Sequence, residues 1–429
     1  MTTRASNTGI DRKRLDRREF FGRGAAAGVA LALGPMLASA GEQAASTNSA
    51  RASDRRIKLG LVGCGGRGSW ITQFFTGHGG YTFVSVADYF QDRAEQAGAA
   101  LGLDKSKCFS GLSGYKRVVE SGAEAVVLET PSFFFPEHVE AAVAAGLHVY
   151  MAKPVAVDVP GTLRIGAAGQ AATKKNRVLL VDYQIPTDPE NSEVVKRIRE
   201  GGLGALQAVW SYGYAGGDGF NDPPLTANIE SRLTGLVWVN DDALGGGYIV
   251  NFDVHIVDAV VWALGRRAVA AYGKGGRFRR EPNGDSFDTN IVTYTFEDGL
   301  AWTHQSGAGP THDWLQHAGT SGLVASIQGS KAAARLSYWD KAYLRGGPKH
   351  YGGKAVEGLY DAGARRNVAT FHELIASNTC SNDTVARAVD GTLTCILGRE
   401  AARRGCFLSM NDLIKENKAL AVDLRGLKA

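Results

Sequence analysis

Apolar and polar positions change their period along the chain, and the change divides it. Residues 57–62 (I-K-L-G-L-V) alternate like a buried strand, and Trp70, Ile71, Phe74 and Phe75 follow at helical spacing. The order then repeats. Strand-like runs at 81–87, 123–128, 148–151 and 177–181 alternate with helix-like runs at 92–101, 136–145 and 161–173. Pro136 opens one of these helices and Gly146 stops it. Strands alternating with helices predict a parallel, doubly wound sheet. After Tyr183 the rhythm differs. Residues 188–200 read as one helix halted by Gly201 and Gly202. Strand-like runs then follow at 206–214, 268–276, 290–296, 300–305, 323–328 and 333–338, with turns such as Glu297-Asp298-Gly299. That pattern predicts a large, mainly antiparallel sheet flanked by helices. One helix is set among these strands, with Val254, Val257, Val261 and Leu264 on one face. The expected fold class is α/β plus α+β, with domains at 56–183 and 184–429. A sheet with helices on one face leaves the other to be covered, which predicts a homo-oligomer, dimer or tetramer.

The first 55 residues fit neither domain. Arg12, Lys13, Arg14, Arg17 and Arg18 make a basic opening, and Arg17-Arg18 precede Phe20-Phe21. An Ala/Gly/Leu-rich run at 24–37 and the small-residue triplet Ala38-Ser39-Ala40 follow. This reads as a twin-arginine signal peptide over 1–40, cleaved near Ala40, then a linker over 41–55. The run is shorter than the roughly 20 apolar residues of a membrane span, so no anchor is expected after cleavage. The expected location is periplasmic or secreted.

Composition narrows the chemistry. With 44% apolar and 21% charged residues the chain can build a core. A net charge of +5 over 429 residues, without a basic stripe interleaved with aromatics, argues against a nucleic-acid partner. Five cysteines without a C-x-x-C pair give no disulfide or metal framework, and no metal is expected.

The first strand runs into Gly63-Cys64-Gly65-Gly66-Arg67-Gly68, which is G-x-G-x-x-G between a strand and a helix. That context is what a dinucleotide-binding βαβ unit requires: Gly63 for the turn, Gly65 for approach to a pyrophosphate, Gly68 for close helix packing. Gly66 and Arg67 open the helix whose N-terminus would face the phosphates. The second strand ends at Asp88, twenty residues beyond Gly68, where a carboxylate would bond the ribose hydroxyls. A carboxylate there favours NAD over NADP. Thr130, Pro131, Lys153 and Tyr183 also fall at or just past strand ends, where such sheets bind ligands. Shielded from water, Lys153 would lose proton affinity and could exchange a proton with a substrate hydroxyl; a surface lysine in a loop is the alternative. Around the later helix, Asn251, His255 and Asp258 recur three and four residues apart. They form either a polar cluster for sugar hydroxyls or a helix cap, through Asn251 or Asp253, beside a structural His–Asp pair. Residues 214–244, with Asp218, Asn221, Asp222, Trp238 and Asn240, are expected to help shape the substrate pocket.

These motifs occur together in one family. G-C-G-G-R-G after a first strand, Lys153-Pro154 closing the fifth, and Gly245-Gly246-Gly247 with seven residues between it and His255-x-x-Asp258 resemble the glucose–fructose oxidoreductase / inositol dehydrogenase (Gfo/Idh/MocA) family. The resemblance runs from about Ile57 to about Glu416 and includes a last long helix over 392–406. It implies a Rossmann domain holding NAD through Gly63, Gly65, Gly68 and Asp88. It implies Lys153 and His255 as the catalytic pair, and Tyr183 and Gln184 as residues lining a sugar pocket. The implied reaction is hydride transfer between nicotinamide and a hydroxyl-bearing carbon of a sugar, polyol or derivative. Two positions depart from the family pattern. The glutamate expected before Lys153 is Ala152, and the aspartate found in one branch four residues before His255 is Asn251. A His–Asp relay would then need Asp253, or Lys153 must act more alone. Two other functions share these residues: NAD-dependent glycoside cleavage by oxidation, elimination and reduction, and a dinucleotide-binding protein without turnover. Export predicts a captive dinucleotide, since nicotinamide cofactors are made inside the cell.

Overall fold

A computed structural model describes residues 56–215, 223–279, 284–308, 322–380 and 382–429. The expected leader and linker, and Asp218, Asn221 and Asp222, lie outside the described residues.

Six strands form the first sheet: β1 (Ile57–Val62), β2 (Tyr81–Asp88), β3 (Cys108–Ser110), β4 (Ala125–Leu128), β5 (His148–Ala152) and β6 (Leu179–Asp182). They lie in the order β3-β2-β1-β4-β5-β6, all parallel. The order reverses between β1 and β4, so their C-terminal ends frame the crevice where doubly wound sheets bind ligands. β4 and β6 are buried along their whole length, as strands covered on both faces must be.

The second sheet has eight strands: β7 (Leu206–Ala215), β8 (Ala270–Gly276), β9 (Thr289–Thr295), β10 (Ala301–Ala308), β11 (Gly322–Gly329), β12 (Ala333–Ser337), β13 (Tyr343–Arg345) and β14 (Phe407–Ser409). Their order is β13-β12-β11-β7-β10-β9-β8-β14. Only the central pair β7 and β10 is parallel; every other pair is antiparallel. Alternation sorts the faces. Val209, Trp302, Tyr294, Ala325 and Ile327 point into the core, while Trp210, Tyr272, Ile291 and Phe407 point out.

One hydrophobic core runs from β4, β5 and β6 through the helix Val254–Leu264 to the covered face of the second sheet. A second core lies over β1 and β2, and it contains Ala364, Val368 and Phe371 from the helix Leu359–Ala376. The chain therefore returns, after most of the second sheet, to cover the helix Gly66–His78. The long helix Asp383–Arg404 packs on β8 and on the helices Val159–Lys174 and Val254–Leu264. Among the described residues no single helix is long and apolar enough to cross a membrane.

Candidate active site

The glycine loop is built by contact. Gly63 has φ +96°, and a Cβ there would lie 2.5 Å from the carbonyl carbon of Glu129. A Cβ on Gly68 would lie 1.9 Å from the Gly63 oxygen, so the helix touches the strand only because both positions lack side chains. A Cβ on Gly65 or Gly66 would meet nothing within 4 Å. Those two glycines border open space at the start of the helix Gly66–His78, whose first turn has no side-chain cap. Unpaired N–H groups facing an open cradle fit a pyrophosphate.

Asp88 closes β2 beside this loop. Its carboxylate accepts the Cys64 N–H at 2.8 Å and the Phe90 N–H at 3.0 Å. Burial raises its proton affinity, and the two backbone bonds oppose that. The loop after Asp88 is anchored from afar. Tyr89 Oη donates to Glu230 at 3.2 Å, and Arg93 donates to the Thr234 carbonyl at 2.8 Å. The C-terminal tail arrives there too: the Lys428 N–H donates to Tyr89 Oη at 3.2 Å, and the Leu112 N–H to the Lys428 carbonyl at 3.0 Å. Thr130 follows β4, with Oγ1 3.3 Å from His138 Nδ1, and Pro131 continues the same strand-end loop.

Lys153 stands just past β5, and its Nζ donates to the Asn251 carbonyl at 2.6 Å and lies 3.4 Å from Asn251 Oδ1. Asn251 is fixed in turn by donating to the Gly245 carbonyl at 2.8 Å. Burial first, then the Arg67 charge, pushes Lys153 down to about 7, against the pull of Asp182 and Glu129. His255 lies behind, 9% exposed, with its ring edge-on to Tyr338 at 5.2 Å. Burial, then Lys153 and Arg67, hold its imidazole well below the usual range, so it is neutral. Its Nδ1 has no hydrogen-bond partner among the described residues. An amine near neutrality beside a neutral imidazole can take a proton from a substrate hydroxyl and hold the oxygen it leaves.

Several sequence expectations are corrected by this geometry. The cap expected from Asp253 is not made by its side chain, and Asn251 ends a separate segment: Asp242–Asn251 and Val254–Leu264 meet at 56°. The bend at Phe252 and Asp253 brings Asn251 to Lys153 and turns Asp253 the other way. Asp253 lies under the second sheet, its Oδ2 3.2 Å from His304 Nε2. His304 Nδ1 is 2.7 Å from Ser211 Oγ, which accepts from the Trp302 indole at 2.7 Å. Asp253 thus organises a buried network and takes no part with His255. Asp258 accepts from Arg387 Nε at 2.8 Å, so the expected His–Asp pair is not formed. Tyr183 and Gln184 brace the site from behind. Tyr183 meets His255 edge-on at 6.4 Å, and Gln184, 1% exposed, donates to Asp182 and accepts from Tyr338 Oη. The Arg67 side chain leaves the phosphate cradle for two carboxylates, Glu129 and Asp182.

Glu129, Asp182, Tyr338 and Tyr360 are the residues that sequence reasoning did not single out. The signal available for the first two was a charged residue at the end of an apolar strand. What they touch comes from elements distant in sequence.

Residues 57–183 match the family described as "Oxidoreductase family, NAD-binding Rossmann fold" (Gfo/Idh/MocA). Inositol 2-dehydrogenase 4 of Saccharopolyspora erythraea is 32% identical over 256 residues, 58% of this chain and 67% of that protein. Among solved structures, levoglucosan dehydrogenase in complex with NADH and levoglucosan superposes with a TM-score of 0.65 at 16% identity, over 83% of this chain and 100% of that one. Myo-inositol 2-dehydrogenase from Lactobacillus plantarum gives 0.64 at 18% identity, over 83% and 99%. At those identities the structures speak for the fold alone. The glycine cradle, the strand-end carboxylate and the match in sequence together place this chain in the Gfo/Idh/MocA family of NAD-dependent oxidoreductases.

Proposed function

We propose that this chain is an exported oxidoreductase that moves a hydride between tightly held NAD and a secondary alcohol carbon of a sugar, polyol or close derivative. One observation carries the reading: Lys153, pushed down to about 7, stands at a strand end beside a neutral His255 with an unpartnered Nδ1. When bound, NAD supplies the carbon that accepts or returns the hydride. Lys153 takes the hydroxyl proton on oxidation and returns it on reduction, and Asn251 holds its amine in place. His255 orients the oxygen through hydrogen bonding. Substrates of this class are in keeping with the inositol and levoglucosan named in the relatives.

Finer features of the proposal rest on particular residues. Asp88 favours NAD, since a 2′-phosphate would meet a carboxylate there, and Arg93 is engaged by the Thr234 carbonyl and lies 4.5 Å over the Phe90 ring. Retention is served by the contacts that tie Tyr89 and Arg93 to residues 230–234. Export is read from Arg17-Arg18 and the apolar run behind them. Pairing of subunits would cover the open sheet face, where Trp210, Tyr272, Ile291 and Phe407 are 49%, 53%, 52% and 65% exposed.

The test starts with protein purified without added cofactor. It is denatured, and released dinucleotide is identified by mass and quantified by absorbance. The expected result is near-stoichiometric NAD, and reduction of that NAD when intact protein meets a polyol or aldose. A protein that neither carries nor binds either dinucleotide overturns the reading. NAD-dependent release of nitrophenol from a glycoside would move it to glycoside cleavage.

A further inference from the structure

A buried group of charges that the reaction above does not use acts on Lys153. Arg67 Nε is 3.0 Å from Glu129 Oε2, its Nη2 pairs with Asp182 Oδ2, and its Nη1 donates to Tyr360 Oη at 3.1 Å. The Trp70 ring lies 4.8 Å from the guanidinium and stacks on Tyr360 at 4.2 Å. Both carboxylate side chains are wholly buried. Asp182 is further held by Asn367 Nδ2 at 2.8 Å and Gln184 Nε2 at 3.0 Å, while Glu129 Oε1 has no hydrogen-bond partner among the described residues.

The sheet register explains why this group sits where it does. Ala152, the residue before Lys153, pairs with Asp182 on β6. On its other side Met151 pairs with Leu128, so Glu129 comes one step further along, level with Ala152. The residue before the lysine thus has only a methyl group, and a carboxylate flanks it on each neighbouring strand. Arg67 answers one of the two negative charges. With both carboxylates ionised, the cluster is neutral when Lys153 carries its proton and has one buried negative charge when it does not.

We propose that Arg67, Glu129 and Asp182 form a positioning cluster for Lys153, whose surplus negative charge keeps on the lysine the proton taken from substrate and does from two strands what a carboxylate at residue 152 would do from one. The inference rests on the acid–base reading of Lys153. The charged and titratable groups that act on Lys153 are Arg67 from the glycine-loop helix, Glu129 after β4, Asp182 on β6 and Cys395 on the helix Asp383–Arg404, and Lys153 acts in turn on His255. Glu129 and Asp182 strengthen the lysine's hold on its proton; burial and Arg67 weaken it. Burial also pushes Glu129 up to about 7, against Arg67, so lysine and glutamate titrate in one range.

The sign of each change makes the test. The rate at which Lys153 is acylated by acetic anhydride, followed by peptide mass spectrometry across pH, reads its proton affinity in the full chain without any substrate. Glu129→Gln should move the midpoint down by about one unit, because a buried negative neighbour is lost. Ala152→Glu in that background should move it back up, and Ala152→Glu alone should move the unmodified cluster up. The pH profile of kcat/KM should shift in the same sense. An unmoved midpoint in Glu129→Gln with unchanged melting overturns the inference. If Glu129→Gln does not fold, Ala152→Glu alone decides, and no upward shift there overturns it equally. Should the midpoints move as expected while Lys153→Ala keeps full turnover, the cluster stands and the acid–base reading of Lys153 fails.

Discussion

The two ends of the dinucleotide crevice are made of different material. At the ribose end, Asp88 is held by two backbone N–H groups, from Cys64 and Phe90, within 2.8–3.0 Å. The glycine loop beside it is also backbone, open above Gly65 and Gly66. At the lysine end, Arg67, Glu129 and Asp182, from three distant parts of the chain, form a buried ion-paired group closed by Trp70 and Tyr360 that acts on Lys153, whose amine is held by Asn251. One end binds through geometry that local sequence dictates. The other, on the proposed reading, would do chemistry through charges that only the folded chain brings together. The ribose end should therefore bear side-chain changes with modest losses, while the lysine end should fail by orders of magnitude when the Lys153 amine is removed.

The largest effect is expected at the lysine. Lys153→Met keeps bulk and removes the amine proposed to accept the hydroxyl proton. Turnover should fall on the order of 10³-fold, while dinucleotide released on denaturation stays near wild-type amounts. Loss of both would show that Lys153 holds cofactor more than it moves protons.

The next effect sharpens the contrast from the backbone side. Gly68→Ala places a methyl group 1.9 Å from the Gly63 carbonyl, where strand and helix cannot both stay in place. Destabilisation of about 1–3 kcal/mol is expected, with weakened NAD binding, read by thermal melting and by titration calorimetry. Gly66→Ala meets open space and should spare the melt while weakening only the binding. Equal melting losses in both would mean that the cradle is not what separates these glycines.

Titration follows. On the proposed mechanism, oxidation needs neutral Lys153 and reduction needs it charged. With the lysine held near 7, kcat/KM for oxidation should rise about tenfold per pH unit below that value and flatten above it. Reduction should do the reverse. Initial rates in both directions across the range give the crossing point, and a midpoint near the usual lysine value would remove the role assigned to burial.

The same contrast explains what could be read in advance. Strand–glycine–helix order, the place of Asp88 and the strand-end position of Lys153 are local, and periodicity exposes them. The eight-stranded sheet was legible as a run of strands, but its parallel centre, β7 beside β10, was not, because strand neighbours are set by the long excursion between them. Asp258 was expected on the His255 face from helical spacing, and Asp253 as a helix cap or as the partner that a His–Asp relay would need. The bend at Phe252 and Asp253 sends Asp253 to His304, and Arg387 on a distant helix takes Asp258. Arg67 read as a phosphate-loop residue because its neighbours are glycines. Its partners, Glu129, Asp182 and Tyr360, lie 62, 115 and 293 residues away, and no period in the sequence encodes such pairings.

The smallest effect belongs to the ribose end, and it decides whether the dinucleotide is captive. Tyr89 and Arg93 tie the loop after Asp88 to Glu230 and to the Thr234 carbonyl, and both bonds are exposed to water. Exposed bonds of this kind are each worth a fraction of a kcal/mol to about 1 kcal/mol. Tyr89→Phe with Arg93→Ala should therefore leave Asp88 and turnover unchanged while speeding exchange of bound NAD for labelled NAD by about threefold to about tenfold. Exchange is measured by rapid filtration of loaded protein, with no substrate present. If wild-type protein already exchanges within seconds and the double variant matches it, these contacts do not retain the cofactor, and an exported enzyme would need another means of keeping it.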